Sequence, residues 1–359
     1  MKVVFAGGGT GGHIFPGIAA AQSILRLRPE SRIEFWGSGR ALEVELLDRE
    51  GMPAAGLPSS PLPRSVLSVP GFIVSLAHGY LRARRLLKAA RTDVVVGLGG
   101  YSSYAPVAAA SHLGIPVLLL EQNALPGVAT RRLAKRSSAL CVSWEAAAEH
   151  LSERLPVIVT GNPVRDSVVA AASSYRYDTS GALLILGGST GAVGLNSVVL
   201  EALPEVDLQG RQVIHQAGAG DVDRVREAYA NAGICAQVAP FIEDMAEVYA
   251  KAAVVVARAG GTTLAELALF GLPAFLVPYP HHKDRHQRAN AEIFARVDAA
   301  QIIEQDEGVP LLARLLKEHL DAPVRLESMH AAMLSLGRPE AADLVGDMII
   351  RLAEGGRHD

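Results

Sequence analysis

The sequence is poor in the residues that mark several large classes of protein. Cysteine occurs only twice, at Cys141 and Cys235, which is too few for a disulfide scaffold or a cysteine-rich zinc site and fits a reducing compartment. Aromatic residues make up 5% of the chain, and no apolar run approaches the roughly 20 residues that span a bilayer. Glycines interrupt the apolar run at the N-terminus at once, so we expect no signal peptide.

A large excess of charge of one sign is also missing. Lys plus Arg number 34 against 37 Asp plus Glu, and the resulting net charge of -3 creates no global basic field that would attract phosphates. The composition therefore argues against nucleic acid as the main partner. Hydrophobic residues make up 49% of the 359 residues, enough to form the cores of about two domains.

Glycine, by contrast, is abundant, with 35 residues. Short apolar runs alternate with helical patterns, and residues 94–96 and 254–256 are each three valines, as in parallel strands covered on both faces. This alternation predicts an α/β protein with two doubly wound, Rossmann-like domains that face each other across a cleft. The predicted strands are residues 2–6, 32–36, 93–97, 116–120, 139–143, 157–160, 182–186, 212–215, 237–239, 253–257 and 274–277.

The two halves of the chain have similar glycine-rich turns. The first strand of each half runs into glycines, at 6–12 (AGGGTGG) and 186–192 (LGGSTGA), and a later strand of each half does the same. Between the halves, residues 170–181 show no hydrophobic period. We assign residues 1–165 to an N-terminal domain, 166–180 to a linker and 181–337 to a C-terminal domain. A C-terminal helix over 338–355 is expected to be able to pack back onto the first domain.

The glycine-rich turns predict a phosphate or pyrophosphate ligand. Such a turn exposes backbone N–H groups at the positive end of a helix. Gly7, Gly9 and Gly12 match GxGxxG, but a dinucleotide site also expects an acid at the end of the second strand, where residues 36–38 are Trp-Gly-Ser. A Walker loop would need Lys followed by Ser or Thr after Gly12, and the chain has His13 there. The sequence therefore predicts no cofactor.

Eight further segments, taken together and in order, carry a family resemblance. They are GGGTGGHIFP (7–16), GGYSS (99–103), EQN (121–123), TGNPVR (160–165), GGSTGA (187–192), FIEDM (241–245), RAGGTTLAE (258–266) and HKDRHQ (282–287). Across nearly the whole chain the sequence resembles the MurG glycosyltransferases, which build the peptidoglycan precursor lipid II. The resemblance implies a GT-B fold with an acceptor- and membrane-facing N-terminal domain and a UDP-GlcNAc-binding C-terminal domain. It also implies GlcNAc transfer to the MurNAc 4-hydroxyl of undecaprenyl-pyrophosphoryl-MurNAc-pentapeptide (lipid I).

The resemblance implies roles for single residues that bind the donor. Ser189 would donate to the diphosphate, the Glu266 carboxylate would accept from both ribose hydroxyls, and the backbone of Ile242 would meet the uracil edge. Gln287 and Asn123 would hydrogen-bond the GlcNAc, and Arg165 would bring a positive charge. The remaining substrate-binding positions are Gly261, Thr262, Thr263, Leu264 and Ala265, with Arg258 as a further cation near the leaving group. Glu266 on a solvated helix face, an idle Gln287 and an Arg165 paired with a surface carboxylate remain open as alternatives.

The resemblance also implies inversion by single displacement, because the donor is α-linked and the product bond is β. Such a reaction needs a base on the acceptor hydroxyl, and His13, whose imidazole suits neutral pH, is the candidate. Alternatively, His13 caps the helix or contacts the acceptor diphosphate. Thr10, Gly11 and Gly12 would line the same space, and Tyr101 resembles an acceptor-side position, with a packing role as the alternative.

Two patterns resemble metal sites, but neither leads to a predicted metal. Asp221-Val222-Asp223 is a DxD, yet it precedes a helical pattern whose dipole favours acids in the first turn. His282 and His286 are one helical turn apart and have no obvious third ligand. His286 also replaces the first glutamine of the family's Gln-Gln pair, so a sugar contact at this position is in doubt.

One predicted helix combines an apolar stripe with basic residues. The stripe comprises Val69, Phe72, Ile73, Leu76, Tyr80, Ala83 and Leu87, and the basic residues are Arg82, Arg84, Arg85, Lys88 and Arg91, with Arg64 upstream. The pattern fits either a core helix with a solvated basic side or a peripheral helix on an anionic membrane surface. With the resemblance, we expect a peripheral protein on the cytoplasmic side of the cell membrane.

Other functions share parts of these patterns. The nearest alternative is a GT-B glycosyltransferase that acts on another lipid or small-molecule acceptor. A UDP-GlcNAc epimerase would need acids placed for proton abstraction, and we identify no such pair. A non-catalytic nucleotide-binding module would bind a donor analogue without lipid-dependent turnover.

Overall fold

The structure, a computed structural model, describes residues 1–61, 63, 65, 68–151, 155–188, 191–281 and 285–355. The chain divides into two compact units. The first unit is Met1–Arg165 together with the chain from Glu340 onward, and the second unit is Asp166–Pro339. Residues 166–180, predicted from the sequence to be a linker, belong to the second unit and contain a helix, α7 (Asp166–Ser174).

The first unit contains a seven-stranded parallel sheet. Its strands are β1 (Lys2–Gly7), β2 (Arg32–Gly37), β3 (Ala54–Gly56), β4 (Val94–Gly99), β5 (Val117–Glu121), β6 (Ala139–Val142) and β7 (Val157–Val159). They lie in the order β3-β2-β1-β4-β5-β6-β7. Every residue of β4 is buried, as expected for a parallel strand between two helical layers.

Helices cover both faces of this sheet. They are α1 (Gly11–Leu27), α2 (Ala41–Arg49), α3 (Val69–Ala90), α4 (Tyr104–His112), α5 (Val128–Leu133), α6 (Glu145–Ala148) and, from the end of the chain, α15 (Ala341–Gly355). Helix α15 packs on α1, where the Ser23 hydroxyl donates to Asp343 at 2.7 Å. A Cβ on Gly346 would lie 2.6 Å from Ser23 Oγ, so the two helices approach closely because position 346 has no side chain.

The second unit contains a six-stranded parallel sheet in the order β10-β9-β8-β11-β12-β13. The strands are β8 (Ala182–Leu186), β9 (Val213–Gln216), β10 (Ala236–Ala239), β11 (Ala252–Ala257), β12 (Ala274–Leu276) and β13 (Ala300–Ile302). The helices are α7 (Asp166–Ser174), α8 (Val193–Ala202), α9 (Val222–Asn231), α10 (Met245–Lys251), α11 (Gly261–Phe270), α12 (His286–Ala295), α13 (Gly308–Leu320) and α14 (Pro323–Ser335).

The predicted fold is confirmed, because both units are parallel α/β sheets of the doubly wound kind. All predicted strands are present within two residues at each end, and two short edge strands, β3 and β13, were not predicted. Within the described ranges, none of the helices has the length and apolar character needed to span a bilayer.

Candidate active site

Each sheet has a point where the strand order reverses, between β1 and β4 in the first unit and between β8 and β11 in the second. Open α/β sheets bind ligands at such switch points, at the carboxyl ends of the strands. Glycine-rich turns follow all four of these strands. Each unit therefore carries its own candidate binding edge.

The turn between β1 and α1 brings His13 to the first of these edges. Gly7, Gly8 and Gly9 have φ of 133°, 147° and 103°, values that favour glycine. Thr10 is the N-cap residue of α1, and its Oγ1 lies 3.2 Å from His13 Nδ1. The His13 ring also packs against Gly99, so the two predicted glycine turns of this unit meet at the imidazole.

Glu43 is a buried acid under the first glycine turn, and it was not predicted from the sequence. Its carboxylate accepts from Ser38 Oγ at 2.9 Å and from the Gly39 N–H at 2.9 Å. A Cβ on Gly8 would lie 2.9 Å from Glu43 Oε1, so the turn rests directly on this carboxylate. The available signal was an acid at the third position of a helix, where a carboxylate reaches back to the N-cap.

Asn123, the predicted GlcNAc contact in this unit, is held by a neighbouring acid. Its backbone N–H and its amide Nδ2 both lie 3.1 Å from Glu121 Oε1, and the Gly127 N–H donates to Oε2 at 2.9 Å. Glu121, which is 4% exposed, therefore holds the loop that follows β5 at two points, Asn123 and Gly127. Tyr101, the predicted acceptor-side residue, lies half-buried in a short turn after β4, and the Arg40 guanidinium lies 5.7 Å from its ring.

Arg165 is buried in the first unit. Its guanidinium carbon lies 4.1 Å from the centre of the Phe15 ring, and its Nη1 is 3.3 Å from Glu50 Oε1. The carboxylate pairing that the sequence left open as an alternative is therefore present. A role of Arg165 toward the donor stays a prediction.

The second unit presents the turn between β8 and α8, where Ser189 lies outside the described residues. Gly188 and Gly191 have φ of 86° and 78°, and the Gly191 N–H donates to the Gly188 carbonyl at 3.0 Å. A Cβ on Gly191 would lie 2.8 Å from the Cα of Gly218. The turn thus packs tightly against the end of β9.

Helix α11 begins at the carboxyl end of β11 and contains six predicted substrate-binding positions. Gly261, Thr262, Leu264, Ala265 and Glu266 are buried, and Thr263 is half-buried. Leu264 is fully buried, so its side chain belongs to the core, and a contact of this residue with a ligand stays a prediction. Glu266 Oε2 accepts from the Tyr249 hydroxyl at 2.8 Å. Glu266 is 5% exposed, so the alternative that it lies on a solvated helix face is wrong.

The other predicted donor positions of this unit have internal partners. The Ile242 N–H donates to Gln216 Oε1 at 3.1 Å, and Gln287 Oε1 accepts from the Tyr279 N–H at 2.9 Å. Arg258 donates to the Val277 carbonyl at 2.9 Å, and burial lowers the pKa of its guanidinium to about 10, so it remains cationic at neutral pH.

The two patterns that resemble metal sites are the pair Asp221 and Asp223 and the pair His282 and His286. Asp221 is the N-cap residue of α9 and Asp223 lies in its first turn; Arg224 donates to both Asp221 oxygens at 2.6 Å. This guanidinium lowers the pKa of Asp221. His286 opens α12, and His282 lies outside the described residues. Among the described residues, no group of three or more His, Cys, Asp or Glu side chains is arranged to hold a metal ion.

A buried polar network lies behind the β8–α8 turn, and sequence reasoning missed it. Asn196 Nδ2 donates to the Ala217 carbonyl at 3.0 Å and to Asp221 at 2.7 Å, so its oxygen faces His215 Nε2 at 3.1 Å as an acceptor. His215 therefore carries its proton on Nε2 and accepts from the Tyr229 hydroxyl on Nδ1, at 2.8 Å. Burial lowers the pKa of His215 from 6.5 to about 3. The network fastens the first turn of α8 to β9 and α9.

Comparison with known proteins identifies the class. Models of the Glycosyltransferase family 28 N-terminal domain and C-terminal domain match residues 3–142 and 182–345. A crystal structure of Acinetobacter baumannii MurG superposes with a TM-score of 0.75 at 30% identity, over 98% of this chain and 99% of that one. The chain is therefore a glycosyltransferase with the GT-B fold.

Full-length relatives define the family within this class. Two are named UDP-N-acetylglucosamine–N-acetylmuramyl-(pentapeptide) pyrophosphoryl-undecaprenol N-acetylglucosamine transferase. The one from Geobacter sulfurreducens is 37% identical over 98% of both chains. The one from Syntrophotalea carbinolica is 40% identical over 96% of this chain and 97% of its own. The chain belongs to the MurG family of glycosyltransferases.

Proposed function

We propose that this chain transfers N-acetylglucosamine from UDP-GlcNAc to the MurNAc 4-hydroxyl of lipid I and so forms lipid II in peptidoglycan synthesis. The observation that carries the proposal is the identity of 37% and 40%, over nearly the full length, to relatives named for this transfer. The enzyme is a hexosyltransferase, and the two sheets provide separate edges for an acceptor and a nucleotide sugar.

The deciding experiment supplies radiolabelled UDP-GlcNAc with and without a lipid I analogue. Label appears in the lipid product only when the acceptor is present. Unlabelled UDP-GalNAc, added as a competitor, reports donor selectivity. Transfer to another acceptor in preference to lipid I, or binding of UDP without any transfer, would contradict the proposal.

The donor is assigned to the second unit. In this unit Gly188 and Gly191 precede α8, and the start of this helix suits a diphosphate, because unsatisfied N–H groups and the helix dipole both favour an anion at a helix N-terminus. The buried carboxylate of Glu266, held by Tyr249, is a fixed acceptor for ribose hydroxyls. Ile242 and Gln287 are each hydrogen-bonded to a neighbouring part of the unit, and the family resemblance implies that they contact the base and the sugar.

Chemistry on the acceptor hydroxyl is assigned to His13. If Thr10 Oγ1 accepts the proton of Nδ1, Nε2 is the ring nitrogen that would take the hydroxyl proton. The hydroxyl oxygen then displaces UDP from the anomeric carbon with inversion, and the positive end of a helix stabilises the departing diphosphate. Thr10, Gly11 and Gly12 would line this space with backbone groups.

Membrane contact is assigned to α3. The apolar stripe divides along the helix: Ala83 and Leu87 are buried in the core, whereas Ile73 is 57% exposed. Val74 and Leu81, outside the stripe, are 68% and 52% exposed. All five basic residues of the helix's C-terminal half are exposed, and Arg64 lies outside the described residues. Apolar groups beside cations suit peripheral binding to an anionic cytoplasmic membrane surface.

A further inference from the structure

Gln216, the last residue of β9, is a polar side chain that no predicted motif contains. It is 4% exposed. Its amide is bonded in two directions: Nε2 donates to the Gly188 carbonyl at 2.8 Å, and Oε1 accepts from the Ile242 N–H at 3.1 Å. One buried amide therefore joins two turns of the chain.

The sheet order explains why this position can reach both turns. Strand β9 lies between β8 and β10, Gly188 follows β8, and Ile242 follows β10. The Gly188 carbonyl already accepts from Gly191 within its own turn, so the Gln216 bond is a second, external restraint on that turn. The side chain at the end of the middle strand thus sets the separation of the turns on either side.

We propose that Gln216 is a positioning residue for the nucleotide. It fixes the distance between the glycine turn that would bind the diphosphate and the turn at Ile242 that would meet the uracil. The inference rests on the proposed function and deepens it. An amide fits this task because it offers one donor and one acceptor, which match a carbonyl on one side and an N–H on the other. Preorganised turns raise affinity because less ordering is needed on binding.

The test is Gln216→Glu, which keeps the size of the side chain and the bond to Ile242. It replaces the donor toward Gly188 with an acceptor, so two oxygens face each other. The repulsion between these two oxygens is expected to displace the turn at Gly188, and so to raise the Kd for UDP and the KM for UDP-GlcNAc on the order of tenfold. The kcat at saturating donor stays within about twofold, since the reacting groups are not altered.

A second set of ligands separates positioning from simple loss of a contact. Uridine and pyrophosphate each occupy one turn, whereas UDP spans both. The fold-loss for UDP is expected to exceed the product of the losses for uridine and pyrophosphate measured separately. The shorter Gln216→Asn keeps the amide but cannot span both turns, and it provides the same comparison if Gln216→Glu fails to fold.

Gln237→Glu is the matched control, because Gln237 is exposed on the neighbouring strand β10 and the charge change is the same. Folded Gln216 variants that bind UDP within about twofold of the wild type would overturn the inference, as would an equal loss in Gln237→Glu. A fall in kcat with unchanged donor KM would also overturn it. A wild-type protein that binds no UDP would instead overturn the proposed function itself, before any variant is compared.

Discussion

The burial of His215 makes the stability of the second unit depend on pH. Burial holds His215 neutral in the folded state, with a pKa of about 3, whereas an unfolded chain takes up a proton near pH 6.5. Between these values the unfolded state binds more protons. The free energy of unfolding therefore falls as the pH falls from 6.5 toward 3. The charge of Asp221 favours the imidazolium and the charge of Arg224 disfavours it, but burial is the largest effect and lowers the pKa.

The magnitude follows from proton linkage. Protonation of the unfolded histidine removes about 1.4 kcal/mol of stability for each pH unit well below its pKa of about 6.5, and less near that pKa. Between pH 7 and pH 5 the total loss from this histidine is therefore about 2 kcal/mol. Other groups titrate in this range as well, so the difference between the wild type and His215→Gln isolates the histidine. The glutamine amide can still donate toward Asn196 and accept from Tyr229.

The assay is a urea titration at pH 7 and at pH 5, in which a hydrogen-exchange pulse at one fixed pH reports unfolding of β8 and β9. The wild type is expected to lose about 2 kcal/mol more than His215→Gln between the two pH values. His281→Gln, a change at an exposed histidine of the same unit, should keep the wild-type dependence. Equal pH dependence in the wild type and His215→Gln would refute the reasoning.

Three further results are expected. Glu43→Ala should destabilise the first unit by about 1–3 kcal/mol in denaturant titrations, because the Ser38 hydroxyl and the Gly39 N–H lose a charged, buried acceptor. Glu45→Ala, on the exposed side of α2, should change stability by less than about 0.5 kcal/mol, and equal effects would disprove the role of Glu43 in supporting the turn. His13→Ala should lower kcat about a hundredfold or more and alter the pH–rate profile, and near wild-type turnover with an unchanged profile would remove His13 from the mechanism. Ile73→Glu should weaken sedimentation with anionic vesicles at low salt, whereas Val324→Glu on α14, an apolar site that is still more exposed, should not. A wild type that does not sediment at all would contradict the membrane assignment.

Most of the fold could be predicted because its strands are parallel and buried. Strands such as β4 and β11 consist of apolar runs that a covered parallel sheet requires, and glycines mark where they end. Strands β3 and β13 escaped prediction because they are three-residue edge strands, and Ala54–Gly56 contains no β-branched residue. Residues 166–180 resemble a linker in the sequence because α7, the helix they contain, is short and rich in Ala and Ser.

The candidate site was predictable only where a motif is local. Glycine turns and the helices they open are encoded by adjacent residues, so the sequence could locate them. Gln216 and His215 act through partners that only the folded sheet brings near, such as Ile242, which follows the adjacent strand β10. Glu266 shows the same limit, since the helix that carries it is buried on most sides and its acid meets Tyr249 from another helix.

The first unit is assembled from both ends of the chain, and this has a consequence during synthesis. Helix α1, which carries His13, is covered by α15, whose residues leave the ribosome more than three hundred residues later. The nascent N-terminal half must therefore wait, with part of α1 uncovered, until the translation of the second half is complete. Truncations or fusions at the C-terminus would therefore disturb the packing of α1, the helix that carries His13, although the two segments are far apart in sequence.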